Sequence, residues 1–232
     1  SMNPSVQYAT VLLNLAGLYR LMGDPNRAVS LFIEAKEMLA GCGLTDDYAY
    51  AGVLNNLALA YQDIGDFEKA YESAFEAYRL MLKKESNDHE IATALNNLAV
   101  IRLKAGELSD AEALIDEALC LYDGMSRPDV HHAAALSTKA SIQYSTGRYR
   151  EALVLFDRAL ELTGRFFGEN IEYAAGERHL SMVYEALGDP QSALQHMKTA
   201  LSLTESILGA DHPRSRDVRA FVERLKLKEG CL

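Results

Sequence analysis

The fold is decided by residues 54–77, which read LNNLALAYQDIGDFEKAYESAFEA. Residues 95–118 read LNNLAVIRLKAGELSDAEALIDEA and repeat the same pattern 41 positions later. In both segments a glycine follows the first leucine by 11 positions, an alanine follows the glycine by 5, and a second alanine comes 7 positions further on. This similarity indicates an internal repeat, and a repeat of this length is typical of stacked supersecondary units.

The repeat extends along almost the whole chain. Its glycine recurs at intervals of 42, 41, 41 and 41 residues, at Gly23, Gly65, Gly106, Gly147 and Gly188. The first alanine recurs at Ala28, Ala70, Ala111, Ala152 and Ala193, and the second at Ala35, Ala77, Ala118, Ala159 and Ala200. Because the glycine and the two alanines keep the same spacing from one another along the chain, the sequence predicts five repeats. These repeats are residues 5–46, 47–87, 88–128, 129–169 and 170–211.

Each repeat predicts a helix hairpin. The glycine permits the left-handed backbone that commonly ends a helix. Asp24-Pro25 and Asp189-Pro190 then fit the N-cap and the first position of the following helix. The two alanines share one helical face, where small side chains let another helix approach closely. Between them stand the predicted core residues Phe32, Ala74, Ile115, Phe156 and Met197.

The last stretch, residues 212–228, departs from the repeat. Its apolar residues have helical spacing and are not followed by a second helix, which predicts a terminal capping helix. The stretch holds six basic residues against two acidic ones. Two interpretations stand: a solvated face, or a docking patch for an acidic neighbour.

Composition excludes several classes of protein. The 49% apolar and 24% charged content is globular, and the sequence contains no apolar run long enough to span a membrane and no signal peptide. The 33 acidic residues exceed the 23 basic ones and give a formal charge of −10. This charge argues against general nucleic-acid binding, which requires many cationic phosphate contacts.

Cys42, Cys120 and Cys231 are too far apart in sequence for a disulfide framework or a zinc motif. They favour a reducing compartment and predict a cytoplasmic protein. Ser1-Met2 resembles a protease-cleavage scar, which leaves open that the chain is part of a longer protein.

The series Ala16, Gly23, Ala28 and Ala35 resembles the tetratricopeptide repeat (TPR), whose usual unit is about 34 residues. The unit here is about seven residues longer, or roughly two helical turns. This length, the LNNLA strings and the segment LGADHP at 208–213 resemble the kinesin-light-chain subclass. The resemblance implies an all-α, right-handed superhelical TPR solenoid of five helix hairpins plus a C-terminal capping helix, forming a single domain over residues 1–232.

The face open to a ligand follows from the helical wheel. In the first helix of the second repeat, the apolar face consists of Leu54, Leu57, Ala58 and Tyr61. The opposite face consists of Gly52, Asn56, Leu59 and Asp63. In proteins of the resembled family the first helices line a concave groove, so the resemblance implies that this opposite face borders the groove.

Equivalent positions of the five first helices form three rows. These rows are Asn14, Asn56, Asn97, Thr138 and His179; Gly17, Leu59, Val100, Ser141 and Met182; and Leu21, Asp63, Lys104, Ser145 and Ala186. Asn55 and Asn96 lie at the flank. An asparagine amide offers a donor and an acceptor to an extended peptide backbone. The apolar residues Leu59, Val100 and Met182 could contact side chains of the peptide. Asp63 and Lys104 could select peptides by their charge.

The resemblance gives the ligand-contacting role to Asn14, Asn56 and Asn97. The alternative is that these asparagines are tolerated surface residues or bind a neighbouring helix. The row four positions earlier, Thr10, Gly52, Thr93, Ala134 and Ala175, has no cation, which argues against the carboxylate clamp of chaperone-binding TPR domains.

Lys139 and Arg102 occupy positions that are apolar in other repeats. They should reach solvent or pair with acids, because a bare buried charge is costly. Alternatively, with Tyr144, Arg178 and His179 they form a basic, aromatic end of the groove. An acidic peptide with an apolar anchor, the ligand that the resemblance implies, would match such a surface.

Signs of catalysis are absent from the sequence. His131 and His132 are adjacent, a poor geometry for joint metal ligation, and with Asp129 they predict a helix start. No phosphate loop, metalloprotease or nucleophile motif occurs. We therefore predict no enzyme activity, cofactor or metal, and no nucleic-acid or membrane partner.

Two functions remain. The first is a scaffold that binds a linear segment of a protein partner, and the second is a peptide- or effector-sensing regulatory module of a larger signalling protein. Self-association through the uncapped N-terminal end is a further prediction, because the sequence offers no cap upstream of Val6.

Overall fold

The computed structural model describes residues 4–84, 87–125 and 127–229. Over these residues the chain forms eleven α-helices and no strand. The helices are α1 (Pro4–Leu21), α2 (Pro25–Gly41), α3 (Tyr48–Asp63), α4 (Phe67–Lys83), α5 (Asp88–Ala105), α6 (Leu108–Asp123), α7 (Val130–Ser145), α8 (Tyr149–Phe167), α9 (Ile171–Ala186), α10 (Pro190–Leu208) and α11 (Pro213–Glu229). Five hairpins and a terminal helix confirm the predicted all-α architecture.

The chain comprises two compact units, Ser1–Leu114 and Ile115–Leu232. The first unit contains α1 to α5 and the start of α6. The second contains the end of α6 and α7 to α11. A single domain over residues 1–232 stays a prediction.

The turn inside each hairpin is built around the repeated glycine. At Gly65 the backbone has φ of +79°, in the left-handed region that favours glycine. The amide of Asp66 donates to the carbonyl of Tyr61 at 2.9 Å and so closes the end of α3. The four equivalent glycines have φ between +77° and +84°, which confirms the role predicted for this register.

The predicted caps are also present. Asp24 accepts a hydrogen bond from the amide of Arg27, and Asp189 accepts one from the amide of Ser192. In both cases proline occupies the start of the helix, where its missing N–H costs nothing.

The repeated alanines form the seams between helices. In the first unit Ala28 and Ala70 are fully buried and join Phe32, Ala58 and Tyr61 in one apolar cluster. In the second unit Ala152 lies in a cluster with Phe156, Leu180 and Val183. The remaining predicted core residues, Ala74, Ile115 and Met197, are buried as well.

Helix α11 covers α10. Met197 of α10 packs with Val218, Val222 and Leu225 of α11, as expected of a capping helix. Several of its basic residues pair with acids of the preceding hairpin: Arg219 with Glu205, and both Arg224 and Lys228 with Glu185. These pairs favour a structural role for the basic charge over a docking patch.

Neither Cys42 nor Cys120 is part of a disulfide. Cys231 and the Ser1-Met2 segment lie outside the described residues. Within the described ranges, the helices lack the combination of length and apolar character that crossing a bilayer requires.

Candidate peptide-binding surface

The first helices of the first unit, α1, α3 and α5, each have one buried and one exposed face. In α3 the residues Leu54, Leu57 and Ala58 are almost fully buried, whereas Asn56 and Leu59 are exposed. The helical wheel therefore assigned the two faces of α3 correctly.

The predicted asparagine row is exposed throughout the first unit. Asn14, Asn56 and Asn97 occupy equivalent positions in α1, α3 and α5, and all three side chains reach solvent. The Nδ2 atom of Asn56 donates to the carbonyl of Gly52 at 2.9 Å. This bond uses one amide hydrogen, so the other hydrogen and the Oδ1 atom can still bind a ligand. We call this surface of α1, α3 and α5 the asparagine face.

Polar pairs connect the neighbouring first helices along the edge of the asparagine face. Arg20 of α1 donates from Nε to Asp63 of α3 at 2.5 Å, and Lys104 of α5 donates to Gln62 of α3 at 3.0 Å. Asp63 and Lys104 are therefore already bound, and a ligand that reads their charge must compete with Arg20 and Gln62. Only alignment of the repeats reveals these two partners, because 43 and 42 residues separate the members of the two pairs.

Beside the asparagines, Leu59 is 41% exposed and Val100 is half-buried. These apolar side chains could receive a side chain of a bound segment. Asn55 is half-buried, and its place at the flank of the surface stays a prediction.

Asn96 requires a correction. It was predicted at the flank of the groove, but it is only 9% exposed. It lies one residue, or about 100°, from Asn97 on the wheel, and this rotation turns it towards the side of α5 that holds the buried Leu95 and Leu98. Its Oδ1 atom has no hydrogen-bond partner within the described part of the chain. Asn96 is therefore not part of the exposed asparagine face.

The row changes character in the second unit. Thr138, the equivalent of Asn97, is buried, and its hydroxyl donates to the carbonyl of Ala134 at 3.0 Å. Because it is buried, Thr138 is not part of a ligand surface, contrary to the predicted row. Tyr144 is half-buried, with its ring 5.3 Å from that of Tyr149.

The environment of His179 also differs from the predicted one. Its ring stacks on Phe156 of α8, with 4.9 Å between the centroids, so the imidazole faces the neighbouring helix. Burial, together with the charge of Arg178, lowers the pKa of His179 to about 4. The imidazole is neutral at pH 7 and does not supply the positive charge predicted for this end of the surface.

Arg178 borders a cleft of about 320 Å³ between α9, α10 and α11. Ile171, Ala174, Val218 and Phe221 supply apolar walls. The charged groups at its rim are Arg178, Arg214, Glu172 and Asp217. A cleft with apolar walls and a charged rim suits an apolar side chain flanked by charges. Sequence reasoning selected Arg178 but missed the cleft, because α11 contributes residues outside the repeat pattern.

The surroundings of Arg102 and Lys139 agree with the interpretation that these residues pair with acids. Arg102 stacks over the ring of Tyr71 at 3.7 Å and pairs with Glu68, and Lys139 lies 2.7 Å from Asp116. Both side chains are largely covered, and their charged ends meet acids of second helices. They are pairing groups rather than part of a basic end of the groove.

The second-helix side of the first unit holds a polar cluster that the sequence did not suggest. Glu76 of α4 accepts from Lys36 at 2.9 Å and from the hydroxyl of Tyr50 at 3.1 Å. Burial lowers the pKa of Lys36, but the hydrogen bond and charge of Glu76 outweigh it, and the net pKa is raised. Because the three groups satisfy one another, this cluster stabilises the contact between α2, α3 and α4.

The sequence model of the tetratricopeptide repeat matches residues 9–39, 49–123 and 131–206. These matches span most of the chain, so the protein belongs to the tetratricopeptide repeat family. Proteins of this family generally mediate protein–protein interactions and are typically non-catalytic scaffolds. No curated protein matches the chain.

Solved structures share the fold at low sequence identity. A protein of Podosopora anserina described as a kinesin light chain with nearly identical TPR-like repeats is 18% identical, with a TM-score of 0.68 over 88% of this chain and 98% of that one. BtubC (BKLC) from P. vanneervenii is 24% identical, with a TM-score of 0.66 over 90% of each chain. The apo quorum sensor NprR of B. thuringiensis is 18% identical, with a TM-score of 0.77 over 97% of this chain and 60% of that one.

Proposed function

We propose that this chain is a protein-interaction scaffold that binds an extended segment of a partner protein along the asparagine face. The observation that carries the proposal is the exposure of Asn14, Asn56 and Asn97 at equivalent positions of three successive first helices. Equivalent amides at regular intervals suit a peptide backbone, which also repeats its donors and acceptors. The proposal includes a cytoplasmic location and no enzymatic activity.

Peptide selection followed by substitution tests this proposal. Peptides are selected from a random library on the 232-residue protein, and the affinity of the best binder is then measured for the Asn56→Ala/Asn97→Ala variant. Loss of two amide contacts should weaken binding by about 10-fold to 100-fold. Asn26→Ala, at an exposed position of α2, is the matched control and should bind as the wild type does. Equal affinity of all three proteins would exclude the asparagine face as the binding surface.

The peptide class within this proposal is acidic with an apolar anchor. Leu59 and Val100 offer apolar contacts in the first unit. In the second, the cleft beside Arg178 offers an apolar pocket whose rim carries two cations, Arg178 and Arg214, beside Glu172 and Asp217. Charge reversal at Arg178 and at Lys104 should each weaken an acidic peptide more than a neutral peptide of the same length. Unchanged affinity of the acidic peptide for both variants would remove the acidic preference from the proposal.

A sensor module is the second candidate. The fold similarity to the quorum sensor NprR favours it, since 97% of this chain aligns with part of that longer protein. A sensor must differ between its free and bound states. Small-angle scattering with and without the selected peptide therefore separates the two functions: a changed radius of gyration supports the sensor, and an unchanged one supports the scaffold.

The proposal also includes contacts between copies of the chain. Their location is the outer apolar side of α1, which borders Asn14 and is on a different helix from Asn56 and Asn97.

A further inference from the structure

Helix α1 presents an unusual outer face. Tyr8, Val11, Leu15, Leu18 and Met22 are between 38% and 71% exposed, and Met22 directly follows the helix. Their spacing of 3, 4, 3 and 4 residues places them on one side of the helix. The described part of the chain leaves this side uncovered.

The equivalent positions are buried in the following repeats. Tyr50, Val53 and Leu57 of α3 have the same residue types as Tyr8, Val11 and Leu15, and they are at most 5% exposed. Tyr50 and Val53 pack in one cluster with Ala35 and Leu39 of the preceding helix α2.

In the second unit, Leu180 and Val183 of α9 take the places of Leu15 and Leu18. They are buried against Ala152 and Phe156 of the preceding helix α8. The outer face of α1 therefore has the composition of a helix-packing face, and the described residues supply no helix that covers it.

The charge pattern restricts what can cover this face. Among residues 4–21 the only charged residue is Arg20, and it is bound to Asp63 on another side of the helix. A covering helix that brought a charge to the centre of the face would have to bury it unpaired. The formal charge of −10 opposes the approach of two copies through most of the surface, but the face of α1 carries no acidic residue and so escapes this repulsion.

From these observations we propose that α1 packs antiparallel against α1 of a second copy of the chain. This inference deepens the self-association included in the proposed function and does not depend on peptide binding. The two-fold axis passes close to Leu15, so that Tyr8 of one copy lies opposite Met22 of the other and Val11 lies opposite Leu18. The 3–4 spacing is that of helices that interlock side chains along a shared seam, and the contact is closed because both copies use the same surface.

The area is that of a small dimer interface. The five side chains expose on the order of 550 Å² per copy, about two thirds of the roughly 800 Å² per partner of a standard interface. Single apolar patches of this size are at the upper limit for monomeric proteins. By contrast, the terminal helix α11 is rich in charged residues and fits a solvent-exposed cap.

Sedimentation equilibrium of the 232-residue protein tests the proposal. The wild type should be a dimer, and Val11→Glu should raise the dimer dissociation constant at least about 100-fold, because it buries an unpaired carboxylate in the seam. Val154→Glu is the matched control, since Val154 is 66% exposed on α8, and it should leave the dimer intact. Far-ultraviolet circular dichroism verifies that each variant is folded. A monomeric wild type at about 100 μM protein, about 100 times a dissociation constant of about 1 μM, or equal dimerisation of Val11→Glu and wild type, would overturn the proposal.

A charge pair tests the antiparallel arrangement. Because residue 11 of one copy faces residue 18 of the other, Leu18→Lys added to Val11→Glu should restore the dimer, whereas Leu18→Glu added to Val11→Glu should weaken it further. Failure of the opposite-charge pair to restore dimerisation would exclude this register. The Asn56→Ala/Asn97→Ala variant should dimerise normally, so loss of peptide binding and loss of the dimer remain distinguishable.

Discussion

Arg20 of α1 binds Asp63 of α3 at 2.5 Å, and the equivalent positions of the next repeat are also paired. There Gln62 of α3 accepts a hydrogen bond from Lys104 of α5. The second partner lies 43 residues after the first in one pair and 42 in the other. The repeat therefore preserves a polar connection between the successive first helices of the first unit, although the residue types change.

We expect the connection between Arg20 and Asp63 to contribute little to stability. Both side chains are about one-third exposed, and exposed ion pairs typically contribute up to about 1 kcal/mol. A double-mutant cycle with Arg20→Ala and Asp63→Ala, followed by urea unfolding, should give a coupling of about 0.5 kcal/mol. A coupling above about 2 kcal/mol would show that the pair is more strongly desolvated than its exposure indicates.

Substitution by alanine should change the unfolding free energy in opposite directions at Gly65 and Gly52. A methyl group meets no atom within 4 Å at either position, so steric contact does not distinguish them. Gly65→Ala forces alanine to a φ of +79° and should lower the unfolding free energy by about 1 kcal/mol. Gly52→Ala, inside α3, should raise it by about 0.5–1 kcal/mol because alanine has the higher helix propensity. Destabilisation by Gly52→Ala would contradict the helix-propensity argument, and an unchanged or increased stability of Gly65→Ala would contradict the turn geometry.

His179 should make stability depend on pH. Its folded pKa of about 4 lies below the unfolded value of 6.5, so the unfolded state binds the proton more readily between these values. The contribution of His179 to the unfolding free energy is therefore largest above pH 6.5 and falls as the pH decreases towards 4, by about 3 kcal/mol in total. Urea unfolding at about pH 7.5 and about pH 5 should show a smaller difference for His179→Gln than for the wild type. His131→Gln, at an exposed position of α7, is the control for the loss of an imidazole.

Lys139→Leu should leave stability unchanged or increase it by up to about 1 kcal/mol. Leucine occupies the equivalent positions, Leu57 and Leu98, where it is buried. The abandoned partner Asp116 is 57% exposed and returns to solvent without a large penalty. Asp116→Ala should be the more costly change, because it leaves the covered ammonium of Lys139 without this carboxylate. Thermal unfolding of the two variants gives the comparison, and a larger loss for Lys139→Leu would refute the argument.

The regular spacing of the repeat predicted the fold, because glycine, alanine and the capping aspartate determine the structure of the segment in which they lie. Gly65 ends a helix and Ala70 forms a seam wherever the unit is placed, so these positions required no knowledge of neighbouring helices. The exposure of Asn56 and Asn97 followed from the same local periodicity.

The candidate surface was less predictable where tertiary contacts decide it. Asn96 and Asn97 differ by one residue, and the rotation of α5 against its neighbours decides which of them is exposed. The neutral state of His179 depends on Phe156, which lies in another helix, and the partner of Asp63 lies 43 residues away. The cleft beside Arg178 requires α11, which does not follow the repeat.

The seams formed by the buried alanines have a consequence for folding and evolution. Within each unit, most of the close backbone contacts between described helices join helices that are neighbours in the chain. Such short-range contacts correspond to low contact order and favour fast folding that can begin at any hairpin. Each added hairpin also closes only a short loop, so the entropic cost per repeat stays constant as the chain lengthens. Gain or loss of a whole repeat is therefore a smaller perturbation to this protein than insertion of a few residues inside a helix.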